Sequence, residues 1–280
     1  MNLIFKEKNK LKNNRQIMSN IKNIPEKCLR EKRKKEENVE IDRLDIFNTI
    51  LNFSIKEKKN KFKPNSIYKD LRINGINIIK NFCNSFQLDQ KIFYSSVYLM
   101  DDLFINKKFT QEICKTAYHC ILICLKFFEN GTFSLNIINN LKKEDFDYNL
   151  EIEILKSINY NLNFFTAYDI LTFLINNQIL FSYEKEFLRI HNIEISNVYY
   201  NCFIQLYKLI DKKFYIRFTS IEYAFSLIAF IRKSFGLEDL NIIFGKIYNY
   251  QYENYSKCFE FLLTKLKTKN ISEILNKKIK

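Results

Sequence analysis

The chain contains only four glycines and two prolines among its 280 residues, well below the usual share of both. Tight turns depend on these residues, because glycine accepts positive φ and proline fixes φ in advance. A sandwich or barrel of many short strands would need more of them. Apolar residues make up 47% of the sequence, enough for a substantial core. We therefore predict an all-α fold in which long helices are joined by polar loops.

The positive charge of the chain lies outside its central part. The formal net charge is +14, yet residues 64–264 carry as many acidic as basic side chains. The excess lies in residues 1–40, which hold 12 Lys and Arg against 6 Asp and Glu, and in residues 56–63 and 265–280. If the central part of the chain bound nucleic-acid phosphates, it would itself carry an excess of basic residues. We expect no direct binding of nucleic acid.

The cysteines give no sign of disulfides or of a metal site. They are seven in number, an odd count, and form no CxxC motif. Cys120 and Cys124 share a helix face, but no second ligand pair accompanies them, so we predict buried thiols in a reducing compartment. The apolar stretch at the start of the chain is too short for a signal peptide, and no apolar run is long enough for a membrane span. We expect a protein of the nucleus, the cytoplasm or both, without a membrane partner.

The densest run of charge lies near residue 30 and includes Lys32, Arg33, Lys34 and Lys35. The apolar residues of the surrounding segment are too scattered to form a core face, so residues 1–40 are predicted to be a disordered basic extension. The run is either a solvated arm or a nuclear-import signal, in which clustered cations meet an acidic receptor groove. If it is an import signal, changing these four residues to Ala should reduce the nuclear accumulation of a large fluorescent fusion.

Apolar residues recur at helical spacing along most of the remaining chain. The pattern predicts helices near residues 66–86, 89–105, 111–128, 134–141, 146–159 and 167–180, after a shorter one that ends near residue 55. Residues 117–125 are apolar nearly all round, which predicts a central helix enclosed by its neighbours. The second half repeats this pattern of apolar helices, with one predicted over residues 193–211 and another that begins at Thr219. The repetition predicts two similar five-helix units with a boundary near residues 178–192.

The sequence offers little of the chemistry that enzymes use. The four glycines are too far apart for a GxGxxG or GxxxxGK[ST] phosphate loop. His119 falls inside the apolar helix and His191 in a connector, and neither belongs to a nucleophile or metal-ligand motif. Glu151 and Glu153 are two residues apart, so they point to different helix faces. We predict that the chain is not an enzyme and needs no cofactor and no small-molecule ligand.

Four charged residues stand within or beside strongly apolar helical segments: Arg72, Asp101, Lys126 and Glu151. A charge in such a place is costly unless it has a partner. Each of them either lies on a solvated stripe of its helix or is paired with another group.

The segments around these charges follow a recognisable order. Residues 71–79 (LRINGINII), then F-x-L at 86–88, then residues 97–104 (VYLMDDLF), resemble the first two helices of a cyclin box, with its Arg, F-x-L and D-R-F-L. Residues 124–129 (CLKFFE) resemble the family's A-S-K-[FY]-E-E. Residues 150–166 (LEIEILKSINYNLNFFT) resemble M-E-x-x-[IL]-L-x-x-L-x-[FY]-x-L-x-x-P-T. The resemblance is specific over about residues 65–178 and fainter from about 190 to 266, where residues 218–220 (FTS) are similar to the P-S opening of a helix in the second box.

The resemblance implies a cyclin, weakly closest to the cell-cycle A/B type. Such a protein is an all-α regulatory subunit with two tandem five-helix boxes that binds and activates a cyclin-dependent protein kinase as a heterodimer. Arg72 and Asp101 would be the family's internal ion pair. Lys126 and Glu151 would face the kinase, where a semi-buried pair helps to specify one partner geometry. The apolar anchor around them would consist of Ile123, Phe127, Leu155, Tyr160 and Leu162.

The chain also departs from the family pattern. The family's substrate-docking patch would fall on Leu71, Asn74, Gly75 and Ile78, where Asn and Gly remove apolar anchors, so we expect a degenerate patch. Asp102 stands where the family has Arg, Phe128 where it has Glu, and Phe165 where it has Pro.

The predicted organisation runs from the basic extension (1–40) through an N-terminal helix and connector (41–64) to two boxes and a basic tail. The N-terminal box covers residues 65–180, the C-terminal box 181–266 and the tail 267–280. Three alternatives stay open. A transcriptional cyclin would partner a polymerase-tail kinase, a cyclin-fold transcription-initiation factor would favour a basic body and a zinc ribbon, and a helical scaffold would bind no kinase.

Overall fold

The computed structural model describes residues 47–53, 57, 66–105, 109, 111–129, 131, 137, 147–176, 180, 182–212, 215–237 and 252–266. The basic extension with the run Lys32 to Lys35, the basic tail and most of the helix predicted near 134–141 lie outside these residues. Every regular element within the described ranges is helical, which confirms the predicted all-α class for them. No helix of this part of the chain is long and apolar enough to cross a bilayer.

The α-helices after the helical residues 47–53 are labelled in chain order. They are α1 (Ser66–Ser85), α2 (Gln90–Ile105), α3 (Ile113–Phe128), α4 (Tyr148–Ser157), α5 (Ala167–Asn176), α6 (Ser182–Ile190), α7 (Ile195–Ile210), α8 (Ser220–Ser234) and α9 (Ser256–Lys265). Short 3₁₀ turns at Tyr215–Arg217 and Tyr252–Asn254 precede α8 and α9.

The chain divides into two compact units, and each is built from segments that are distant in sequence. The first unit comprises Ile50–Ile170 and Leu206–Ala224, and the second comprises Met1–Thr49, Leu171–Gln205 and Phe225–Lys280. The boundary near 178–192 and the two-box organisation stay predictions.

Helix α3 is the centre of the first unit. It packs against α1, α2 and α4. Its residues from Ala117 to Leu125 are buried, with Tyr118 as the half-buried exception. A helix that is apolar on almost every side can be stable only when neighbours enclose it. The predicted central helix is therefore confirmed.

The helix ends explain how a chain with so little glycine folds. In α1, α4 and α6 a non-glycine residue with positive φ follows the last turn: Gln87, Asn159 and Asn192. In each case the next residue's amide reaches back five residues, as in the bond from the Leu88 amide to the Cys83 carbonyl at 2.9 Å. This is the Schellman arrangement, in which asparagine is the usual substitute for glycine. Among the described helix ends, only that of α8 has glycine at the position with positive φ, namely Gly236.

Gly75 lets α1 approach α2 closely. A Cβ built at this position would lie 2.5 Å from the Met100 sulfur and 3.3 Å from a side-chain carbon of Ile113. Met100 is completely buried, so it has little room to move. The glycine therefore leaves out a side chain at the point where three helices meet. This close packing explains why a residue with low helix propensity stands inside α1.

We expect Gly75→Val to destabilise the protein by about 1–3 kcal/mol, because the added side chain overpacks the contact with Met100. Asn77→Val is the matched control, since Asn77 is exposed on the same helix. Urea denaturation of both variants measures the difference. Equal midpoints would show that the helix contact has room for a side chain.

A buried ion pair in the first unit joins α1 to α2. Arg72 Nε and Nη2 donate to the Asp101 carboxylate at 2.7 and 2.8 Å, and Nη1 donates to the Ile210 carbonyl at 2.6 Å. The Tyr68 hydroxyl also donates to Asp101. Burial lowers the pKa of the Arg72 guanidinium, but Asp101, with help from Tyr68 and Tyr215, outweighs burial and the net shift is upward. The structure thus brings together the two residues that the sequence suggested as an internal pair.

The second unit contains a comparable pair that sequence reasoning missed. Glu184 on α6 and Arg232 on α8 are both buried, and Arg232 donates to Glu184 with both terminal nitrogens, one of them at 3.0 Å. Glu184 stands beside the buried Leu188 on α6, a segment over which the sequence pattern predicted no helix. No family motif drew attention to it.

Candidate functional site

The most distinctive polar contact on the surface of the first unit joins the end of α3 to α4. Lys126 Nζ donates to both oxygens of Glu151, at 2.7 and 2.6 Å. The Lys126 side chain keeps 35% of its surface exposed and that of Glu151 keeps 13%. The pair is partly shielded from water, yet it remains accessible to a partner. Both residues were predicted site residues, and the structure brings them together.

Exposed apolar side chains accompany this pair in sequence on both helices. Phe127 follows Lys126 directly and is 52% exposed, while Ile152 follows Glu151 and is 45% exposed. Tyr148, Glu151, Ile152 and Leu155 are spaced as neighbours on one face of α4, and Tyr148 is 69% exposed. Single exposed apolar residues are ordinary, but several next to one ion pair in the sequence mark a candidate surface for binding a protein. We call Phe127, Tyr148, Ile152 and the Lys126–Glu151 pair the α3–α4 surface.

Sequence reasoning did not select Tyr148 and Ile152. The signal was available, because they stand three residues before and one residue after Glu151 on a predicted helix. Apolar residues at helical spacing are more often part of a core face, so the spacing alone did not indicate a surface. Their exposure shows that Tyr148 and Ile152 lie on the side of α4 opposite its buried residues, which are Leu150 and Ile154.

The predicted apolar anchor is distributed between surface and interior. Phe127 and Tyr160 are exposed, and Leu155 is half-buried. Ile123 and Leu162 are buried, so they offer little area to a partner. Ile123 belongs to the enclosed run of α3, which is the physical reason for its burial.

Tyr160 has a backbone conformation that is unusual for an aromatic residue. Its φ is +55°, directly after Asn159 at +52°. Asn159 terminates α4, and the Tyr160 amide donates to the Leu155 carbonyl at 2.8 Å. A left-handed conformation costs a residue with a Cβ roughly 1–2 kcal/mol. Tyr160 nevertheless keeps 63% of its surface exposed, so burial of its ring does not compensate for this cost.

The predicted substrate-docking patch does not form a continuous exposed face. Leu71 and Asn74 are exposed on α1, and Ile78 is half-buried. Gly75 points inward against Met100, as described above. The glycine is therefore part of the helix packing, and the degenerate substrate-docking patch stays a prediction.

Three cysteines of the first unit, Cys83, Cys120 and Cys124, are buried. Burial raises the pKa of Cys83 and of Cys124 to about 12, and that of Cys120 also rises. Such thiols stay protonated at neutral pH and are poor nucleophiles and poor metal ligands. No cluster of potential metal ligands occurs among the residues that the structure describes.

No family model matches the sequence, and no curated protein matches it. The interpretation of the α3–α4 surface accordingly depends on its geometry and on the motif order in the sequence.

Proposed function

We propose that the chain is a cyclin with two tandem boxes, a non-catalytic subunit that binds and activates a cyclin-dependent protein kinase. The observation that carries the proposal is the Lys126–Glu151 pair. Sequence motifs selected both residues as a partner-facing pair, although they are 25 positions apart, and their side chains meet at the accessible end of α3. The Arg72–Asp101 contact, selected from the same motifs, gives further support.

The α3–α4 surface has the physical properties that such binding needs. Phe127 and Ile152 supply apolar area whose burial favours association. Lys126 offers hydrogen-bond donors and Glu151 offers acceptors, so a partner with complementary groups is held in one orientation. Activation then follows as a population shift, because the cyclin binds the kinase conformation in which the catalytic Lys–Glu pair is assembled.

Affinity capture of the tagged chain from its source cells, followed by mass spectrometry, tests the proposal. The expected result is one predominant protein kinase at near-equal amount, which is lost from a capture with Lys126→Ala. A polymerase-tail kinase would identify a transcriptional cyclin. Recovery of initiation factors without any kinase would contradict the proposal.

Tyr160 gives a test that separates stability from binding. Tyr160→Asn relieves the left-handed backbone, since asparagine tolerates this conformation better than tyrosine. We expect an equal or higher melting temperature together with weaker kinase binding, because the exposed ring is lost. Tyr183→Asn, at an exposed tyrosine of α6, is the matched control and should leave binding unchanged. If Tyr160→Asn binds as well as the wild type, Tyr160 has no part in the interface.

A further inference from the structure

The amino end of α4 is stabilised differently from those of α5 and α8. Both α5 and α8 begin with a capping box, in which an acidic residue three positions after the cap bonds back to the cap's own amide. Asp169 accepts from the Thr166 amide at 2.9 Å, and Glu222 accepts from the Thr219 amide at 2.6 Å.

Helix α4 lacks the returning half of this box. Asp147 is the cap and accepts from the Leu150 amide at 3.1 Å, but Leu150 has no polar group to return to the Asp147 amide. That amide donates instead to Nε2 of His119, at 3.1 Å, on the neighbouring helix α3. A residue from another helix therefore completes the cap.

The hydrogen bonds of His119 define its tautomer. Nδ1 lies 2.8 Å from the Lys115 carbonyl oxygen, which can only accept, so Nδ1 carries the proton. The Asp147 amide can only donate, so Nε2 is the unprotonated acceptor. The ring is neutral and buried, and each of its nitrogens has one partner.

This contact is directly connected to the candidate site. The Glu151 amide donates to the Asp147 carbonyl at 3.0 Å, which closes the first turn of α4. Asp147 thus accepts a hydrogen bond from the Glu151 amide at its carbonyl oxygen, and its own amide donates a hydrogen bond to His119. A second tie, from Lys115 Nζ to the Asp147 carboxylate at 2.8 Å, is exposed and accordingly weaker.

We propose that His119 is a positioning residue for the α3–α4 surface: by completing the cap of α4, it fixes the turn that presents Glu151 to Lys126 and to the partner. The proposal rests on the proposed function, since it assumes that Glu151 is a binding residue. It assigns a role to a buried histidine that lies outside the surface itself.

The test compares His119→Asn with His119→Gln, which differ by one methylene. The shorter amide can serve the Lys115 carbonyl close to its own backbone but cannot reach the Asp147 amide, whereas Gln can place its oxygen near the Nε2 position. We expect His119→Asn to increase hydrogen exchange at the Asp147 and Glu151 amides and to weaken kinase binding about tenfold, as the loss of one part-buried hydrogen bond implies. His119→Gln should retain most of the protection and most of the affinity. Unchanged exchange at both amides in His119→Asn would overturn the proposal.

A double-mutant cycle with Glu151→Ala distinguishes positioning from a general effect on folding. If His119 acts through Glu151, then His119→Asn weakens binding by less than about twofold when Glu151 is already Ala. Equal weakening in both backgrounds would overturn the positioning role while leaving the proposed function intact. If Glu151→Ala alone left binding unchanged, the proposed function would fail instead, and the positioning role with it.

Discussion

Lys126→Ala and Glu151→Ala are each expected to weaken kinase binding by roughly 30-fold or more and to leave the protein folded. Truncation of one partner in a desolvated, hydrogen-bonded charge pair typically costs about 2–5 kcal/mol of binding free energy. In the free protein the pair is partly exposed, so its loss should change stability by less than about 1 kcal/mol. Isothermal titration calorimetry with the purified kinase measures the first effect, and a thermal melt measures the second.

A charge exchange shows whether the pair acts on the partner or only within the chain. Lys126→Glu combined with Glu151→Lys keeps an ion pair between α3 and α4 but reverses the groups that a kinase would meet. We expect this double variant to fold normally and to bind as poorly as the single variants. Arg189→Ala, which removes the exposed pair with Glu186 in the second unit, is the control and should bind normally. Recovery of binding by the exchange would show that the pair is only an internal link.

Asp101→Ala is expected to lower the free energy of unfolding by about 3–5 kcal/mol, a large share of the stability of an ordinary domain. The reason is the Arg72 guanidinium, which is buried and would lose two of its hydrogen bonds along with its counter-charge. The Tyr68 hydroxyl would lose its acceptor as well. Urea denaturation, monitored by circular dichroism at 222 nm, measures the change.

The combined variant Arg72→Met with Asp101→Leu separates the pair from the space that it fills. Replacement of both charges by apolar residues of similar size leaves no unpaired charge, so we expect it to be more stable than Asp101→Ala. Lys115→Ala, at an exposed ion pair, should change stability by less than about 1 kcal/mol. If Asp101→Ala melted like the wild type, the Arg72–Asp101 contact would contribute nothing to the fold.

The fold class could be predicted from the sequence because it depends on repeated, local signals. Scarce glycine and proline excluded a turn-rich sheet protein, and the apolar run of α3 indicated a buried helix. The helix ends could not be located equally well, because Gln87 and Asn159 take a conformation that their residue types permit but do not require. The role of Gly75 depends on its neighbour Met100, which is 25 positions away in the sequence, so local pattern could not reveal it.

The candidate site was predictable in its charges and less so in its surroundings. Motif spacing selected Lys126 and Glu151, but periodicity could not distinguish an exposed Ile152 from a core residue. The Asp147–His119 contact was beyond sequence reasoning, because a histidine in an apolar helix has no local feature that names its partner. The same holds for Glu184 and Arg232, which are 48 positions apart and form a buried pair through tertiary packing alone.

The most direct test of the account is the activity of the captured kinase with and without this chain. Purified kinase is assayed for phosphate transfer to a generic serine/threonine substrate, alone and with one equivalent of the full chain. The account predicts that the chain raises the rate at least tenfold and that the Lys126→Ala variant at the same concentration does not. A kinase that is equally active with and without the chain, under conditions where the chain is folded, would contradict the central claim.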